Sequence, residues 1–153
     1  MIIHSFPNND EPVSALGFDY GRQRIGVAFG QSLTGTAQRI CVLKARDGIP
    51  DWDQIEALIN EWKPNLFVVG IPYNLDGSES ELMVRAIKFA NRLNGRFHKP
   101  SYSMDERLSS VEAAELALEE NSGAKKRAVI DDIAAQIILE NWFSELAASK
   151  KLR

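Results

Sequence analysis

The spacing of apolar residues changes character along the chain. Between Ser14 and Leu43 they come in short runs broken by polar turns, which predicts strands. The first run, Ser14 to Phe18, ends in Asp19; the second runs from Arg24 to Phe29; the third, Thr36 to Leu43, alternates around Ile40 and Val42. Short turns between them predict an antiparallel meander, which Gly48-Ile49-Pro50 closes. After Asp51 the period becomes helical. Trp52, Ile55, Leu58, Ile59 and Trp62 form one stripe, Gln54 completes a capping box, and Pro64 stops the helix. Leu66-Phe67-Val68-Val69-Gly70 is a continuous apolar run after a helix, as expected of a buried parallel strand.

The turn-rich stretch from Ile71 to Ser80 leads into a second helix carrying Leu82, Met83, Ala86, Ile87, Ala90 and Leu93. Pro100 to Asp105 is the fifth expected strand. Ser109 and Glu112 form another capping box and open a helix to Asn121, which Ser122-Gly123 ends. Lys125-Lys126-Arg127 then makes a basic loop before a last helix from about Ala128 to Leu146. The order predicts an α/β sandwich: a mixed five-stranded sheet, three strands antiparallel and two parallel, with helices on both faces. Residues 14–146 form one domain in this reading, 1–13 a flexible proline-broken leader and 147–153 a flexible tail.

Composition narrows the function classes. The chain has 153 residues, a net charge of −3 and a pI near 5.4, so a nucleic-acid partner requires a local basic patch. One cysteine, Cys41, excludes an internal disulfide, and two histidines make a Cys/His zinc site a poor fit. Both features suit a reducing cytoplasm. The first residues lack a signal-peptide pattern, and no apolar run approaches the roughly 20 residues of a membrane span.

Three acids stand out by position. Asp19 ends the first strand, Glu106 follows the last, and Asp131 or Asp132 lies early in the final helix. Sites in α/β sheets collect at the carboxyl ends of strands. If the parallel strands are neighbours, Asp19 and Glu106 open at one edge. Helix geometry separates the other pair: Asp131 borders the face of Ile130, Ala134, Ile137 and Ile138, whereas Asp132 points away and is explained by the macrodipole. Converging carboxylates call for a hard divalent cation, one or two ions of Mg²⁺ or Mn²⁺, and phosphodiester cleavage is chemistry such ions support. Arg22, Arg24, Arg107, Lys125, Lys126 and Arg127 fall on loops at the same edge and would supply the basic patch. The plainer alternatives are a turn residue for Asp19, an ion-paired edge for Asp105-Glu106-Arg107, and core or interface roles for Trp52 and Trp62.

Four blocks together are similar to one family. They are Phe18-Asp19-Tyr20-Gly21 with Ile25-Gly26-Val27-Ala28; Val69-Gly70-Ile71-Pro72 with Asn74-Leu75-Asp76-Gly77; Asp105-Glu106-Arg107-Leu108-Ser109; and Ile130-Asp131 with Ala134-Ala135 and Ile138-Leu139. From Leu16 to Phe143 the chain resembles the YqgF family, the RuvX-like Holliday-junction resolvases also described as pre-16S rRNA nucleases. The resemblance implies an RNase H-like three-layer fold and a cytoplasmic hydrolase processing the 5′ end of precursor 16S rRNA in ribosome biogenesis. It also places the family's acids at Asp19, Glu106 and Asp131. Precursor rRNA, within ribosomal particles, would be the partner, and the protein a monomer or weak dimer. Two departures stand out. Arg22 occupies a position that is often small or threonine in the family. Arg127-Ala128-Val129 stands where a Lys-Gly-Lys run is common. Three rival functions remain: a resolvase of four-way DNA junctions, a non-catalytic assembly factor, and an actin-like ATPase, whose phosphate-binding hairpin shares the Asp-x-Gly pattern but needs two domains.

Overall fold

A computed structural model describes residues 1–7, 11–72, 80–105 and 124–151, with side chains in the last segment described from Ile133 onward. Along the chain the strands are β1 (Ile2–Ile3), β2 (Ser14–Asp19), β3 (Arg24–Gln31), β4 (Thr36–Arg46), β5 (Ile49–Pro50), β6 (Leu66–Ile71) and β7 (Ser101–Asp105). The helices are α1 (Trp52–Trp62), α2 (Glu81–Phe97) and α3 (Ala124–Lys151). The expected helix after Ser109 lies outside the described residues.

The seven strands form one sheet in the order β1-β7-β6-β2-β3-β4-β5. The expected count of five is therefore corrected to seven among the described residues, and the mixed α/β character holds. β2, β3 and β4 are the antiparallel meander. β6 pairs in parallel with both β2 and β7. The two additional strands lie at the edges and have two residues each, too short to show a period. Ile2 and Ile3 pair in parallel with Ser101 and Tyr102. The amide of Ile2 donates to Asn91 Oδ1 at 2.6 Å, and the N-terminal ammonium to Asn94 Oδ1, also at 2.6 Å. Asp47 and Gly48, both at positive φ, turn β4 back into β5. That Asp-Gly pair is the residue choice a two-residue hairpin favours.

Strand alternation sorts the core into two halves. Leu16, Phe18, Val27, Phe67 and Val69 face α1 and α2, where Ile55, Ile59, Met83, Phe89 and Leu93 cover them. Ala15, Ala28, Leu66, Val68, Tyr102 and Met104 face α3, where Ile138, Leu139, Trp142 and Phe143 cover them. The central strand β6 is buried throughout, which explains its unbroken apolar sequence. Trp52 stacks near Phe89, and Trp62 packs on Phe29, so both tryptophans serve the core as expected.

The last helix begins earlier and ends later than its apolar pattern suggests. Lys125, Lys126 and Arg127 are helical, which corrects their assignment to a loop. Lysine, arginine and alanine are good helix formers, and no glycine or proline interrupts Ala124 to Val129. Helix α1 starts at an Asp51 cap that accepts from the Asp53 amide, and α2 at a Ser80 cap that accepts from the Met83 amide.

Gly48 has φ of +82°, and a Cβ there would collide with the Tyr20 hydroxyl. Replacing Gly48 with Ala should therefore destabilise the fold by more than about 1 kcal/mol. Urea unfolding followed by circular dichroism would register this as a lower midpoint with an unchanged slope.

Candidate nucleic-acid-cleaving site

Asp19 is the last residue of β2 and is half-buried. By alternation it shares a face with Gly17, and that face carries α3. A Cβ added at Gly17 would stand 3.0 Å from Leu139 Cβ and 3.3 Å from the Ala135 carbonyl oxygen. The helix thus lies directly on the strand two residues before the acid. A Cβ at Gly30, which pairs with Ala15 at the other end of β2, would touch the Phe143 ring. Moving along β2 toward Asp19 therefore means moving backward along α3. One turn before Ala135 the backbone reaches Asp131, about 6 Å along the helix. Two residues of strand cover about the same distance, about 6.6 Å. The segment bearing Lys125, Lys126 and Arg127 continues past that point at the same end of the helix.

Register gives Asp19 its immediate surroundings. Its partner in β3 is Gly26. On its other side Phe18 pairs with Val69, so the next level brings Asp19 beside Gly70, and Gly70 in turn pairs with Met104 of β7. All these positions face α3. A carboxylate flanked on both neighbouring strands by glycine has no side chain beside it in the sheet. The glycines were visible in the sequence, but only strand pairing reveals that they flank Asp19.

Ile71 pairs with Asp105, the last residue of β7, so β2, β6 and β7 end at one edge as their parallel pairing requires. Glu106 and Arg107, which follow, lie outside the described residues. β2 and β7 stand two strand spacings apart, about 9.6 Å. Among the described residues no group of three or more His, Cys, Asp or Glu side chains gathers.

The turn between β2 and β3 is fastened from several sides. The Gly48 amide donates to the Arg22 carbonyl at 2.7 Å, and the Ala45 amide to the Gln23 carbonyl at 2.9 Å. The Tyr20 hydroxyl donates to the Gly48 carbonyl at 2.8 Å. Gly21 permits the tightness, because a Cβ there would stand 2.6 Å from the Arg24 carbonyl oxygen. Arg22 extends to Glu81 at the start of α2, with a nitrogen–oxygen distance of 2.8 Å. Arg24 opens β3 opposite Lys44. Gly21, Arg22, Gln23, Arg24 and Leu82 line an open cleft of about 490 Å³. The two arginines expected near the site do lie beside the strand end that holds Asp19.

The sequence profile described as "RuvX: Holliday junction resolvase" matches residues 13–145. The chain belongs to the RuvX family. It is 54% identical over 134 residues to a Pseudomonas fluorescens protein named "Putative pre-16S rRNA nuclease", an alignment covering 86% of this chain and 92% of that one. A Pseudomonas aeruginosa protein of the same name is 51% identical over 140 residues, covering 90% and 96%. Among solved structures, Thermus thermophilus RuvC in complex with a Holliday junction substrate is similar with a TM-score of 0.52 at 14% identity, covering 90% of this chain and 97% of that chain. The yeast mitochondrial Holliday junction resolvase Ydc2 gives 0.51 at 11% identity, covering 95% and 82%. At such identities the likeness is one of fold, and it agrees with the RNase H-like architecture expected of a RuvX member.

Burial raises the pKa of Tyr20 above its ordinary value of 10, more than the nearby Arg85 and Arg92 lower it. A raised acid holds its proton more tightly in the folded state. Its contribution to stability is complete below pH 10 and is lost as pH rises through the higher folded value. Replacing Tyr20 with Phe should cost about 1 kcal/mol near neutrality through the lost hydroxyl bond to Gly48. The same variant should flatten the fall in stability above pH 10, leaving the part due to Tyr102, which burial also raises. Denaturant melts across pH 7 to 11 would show both effects.

Proposed function

We propose that this RuvX-family chain is a metal-dependent endonuclease that processes the 5′ end of precursor 16S rRNA. The observation that carries the reading is the position of Asp19: a strand-end acid between Gly26 and Gly70, on the sheet face where the backbone of α3 reaches Asp131. The names of the relatives support both the substrate and the reaction class.

Asp19, Glu106 and Asp131 form the proposed ligand set. All three are hard oxygen donors, which suits Mg²⁺ or Mn²⁺ and disfavours zinc. The glycines at the two in-register positions beside Asp19 put no side chain of their own in the way of such an ion. Such an ion, when bound, supplies the Lewis acidity and the activated water that phosphodiester hydrolysis needs. The chain's own residues do the rest. Asp19 is held at the strand end by a turn that hydrogen bonds fix on both sides. Arg22 and Arg24 line the cleft at the turn that follows it, on the α2 side, and steady the substrate's phosphates. Arg107, Lys125, Lys126 and Arg127 add positive charge from the β7 end and from the start of α3. The setting is cytoplasmic, the partner is precursor rRNA in an assembling ribosomal particle, and the protein acts as a monomer or weak dimer.

The test compares cleavage of a precursor carrying the 5′ leader of 16S rRNA with cleavage of a four-way DNA junction, in Mg²⁺, Mn²⁺ and chelator. Metal-dependent cutting of the RNA is expected. Asp19→Asn should lower it at least about 100-fold, since ligand loss disables the ion rather than the fold. The variant's unfolding midpoint should stay close to that of the unmodified protein. Cutting confined to the junction would reassign the chain as a resolvase. Metal-independent RNA binding without cleavage would make it an assembly factor.

A further inference from the structure

The exposed flank of α2 carries a basic stripe that the proposed cleavage site does not use. Arg85, Lys88, Arg92 and Arg96 recur at intervals of three and four residues. At about 100° per residue they fall within an arc of about 80°. Glu81 is the only acid on this helix, and it too lies within that arc. A chain with a net charge of −3 thus concentrates cations along one helix.

The stripe is not a set of saturated ion pairs. Arg85 is engaged, pairing with Asp47 at 3.0 Å and with Glu81 at 3.5 Å. Lys88 and Arg92 pair with no carboxylate among the described residues. Arg96 lies over the Trp52 ring, 4.4 Å from its centroid, which orders the guanidinium while leaving it exposed. The neighbouring helix α1 bears Asp53, Glu56 and Glu61, and none comes within pairing distance of these cations.

The stripe is also continuous with the cleft. Helix α2 follows β6, so it starts at the sheet edge where Asp19 stands, and its first residue, Glu81, pairs with Arg22 of the cleft wall. From Arg85 to Arg96 the stripe runs about 16.5 Å away from that edge. At about 3.4 Å per nucleotide this is the length of about five stacked nucleotides.

The geometry points to a second binding track, formed by Lys88, Arg92 and Arg96, that holds the sugar-phosphate backbone of the nucleic-acid substrate as it leaves the cleft around Arg22. It rests on the nuclease reading above and extends it: substrates would be gripped several nucleotides from the point of cleavage. The contacts are to phosphate and carry no base sequence.

The test measures binding of a 20-nucleotide single-stranded RNA and of a four-way DNA junction by fluorescence anisotropy across a salt series. The variants are Lys88→Glu/Arg92→Glu and, as a control with the same change in net charge, Lys150→Glu/Lys151→Glu at the far end of α3. The track predicts that the α2 variant loses about tenfold in affinity for RNA at low salt. Its logarithmic salt slope should shallow by about 1.4, two phosphates at about 0.7 each. The control should change much less. Lys88→Gln/Arg92→Gln should give the same direction with a smaller loss, which keeps the test valid if charge reversal disturbs folding. Equal losses in the α2 variant and the control, or an unchanged slope, would overturn the track while leaving the nuclease reading intact. A loss seen with the junction alone would overturn it as an RNA track. Absence of nucleic-acid binding by the unmodified protein would overturn both.

Discussion

Both faces of the central sheet are covered by helices, and this constraint governs where charge can stand. A strand such as β6, buried at every position, cannot carry an ionised side chain without several kcal/mol of desolvation. The same holds for β2 from Ala15 to Phe18. Past that run the covering layers give way at the strand's carboxyl end, and Asp19 is there. The parallel pairing of β2, β6 and β7 then aligns three strand ends at one edge. Burial thus confines a strand-borne carboxylate to this edge, where the proposed site is placed.

Glycine sets the fine geometry around that acid. Gly17 admits α3 to within contact of the strand, since a side chain would press on Leu139 and the Ala135 carbonyl. Gly26 and Gly70 leave the neighbouring strands without side chains at the level of Asp19. Gly21 and Gly48 permit the turn and the hairpin that brace it. One set of glycines brings the helix close and another puts no side chain in register beside the acid. Substituting either set would alter the site without touching a charged residue.

Much of this was legible in the sequence because it depends on period and burial. The meander, the buried strand β6, the first two helices and the strand-end position of Asp19 all follow from local pattern. What escaped depends on pairing or on weak local signals. Ile2–Ile3 and Ile49–Pro50 are too short to show alternation, and they become strands only because β7 and β4 offer them free edges. The run Lys125-Lys126-Arg127 looked like a loop because its charge is conspicuous, yet its helix propensity is high and nothing breaks it. The flanking of Asp19 by Gly26 and Gly70 required register, which no single-strand pattern encodes.

The turn after Asp19 shows why the hairpin motif alone identifies a fold better than a reaction. Its tight geometry is fixed by backbone bonds from Ala45 and Gly48 and by the buried Tyr20 hydroxyl. None of these bonds involves a catalytic group, so the same turn can present an acid, a phosphate grip or neither. Chemistry enters with what the surrounding elements bring to the turn. Here α2 supplies Glu81 against Arg22, and α3 approaches the other face with Asp131 one turn beyond its close contact at Gly17. A hairpin braced on one side by charge and approached on the other by a helix is a scaffold on which a polyanion can be gripped and cut in separate places. Such separation lets an acidic protein act on an acidic substrate, because the local arrangement of cations outweighs the net charge at the distances over which salt leaves the interaction unscreened.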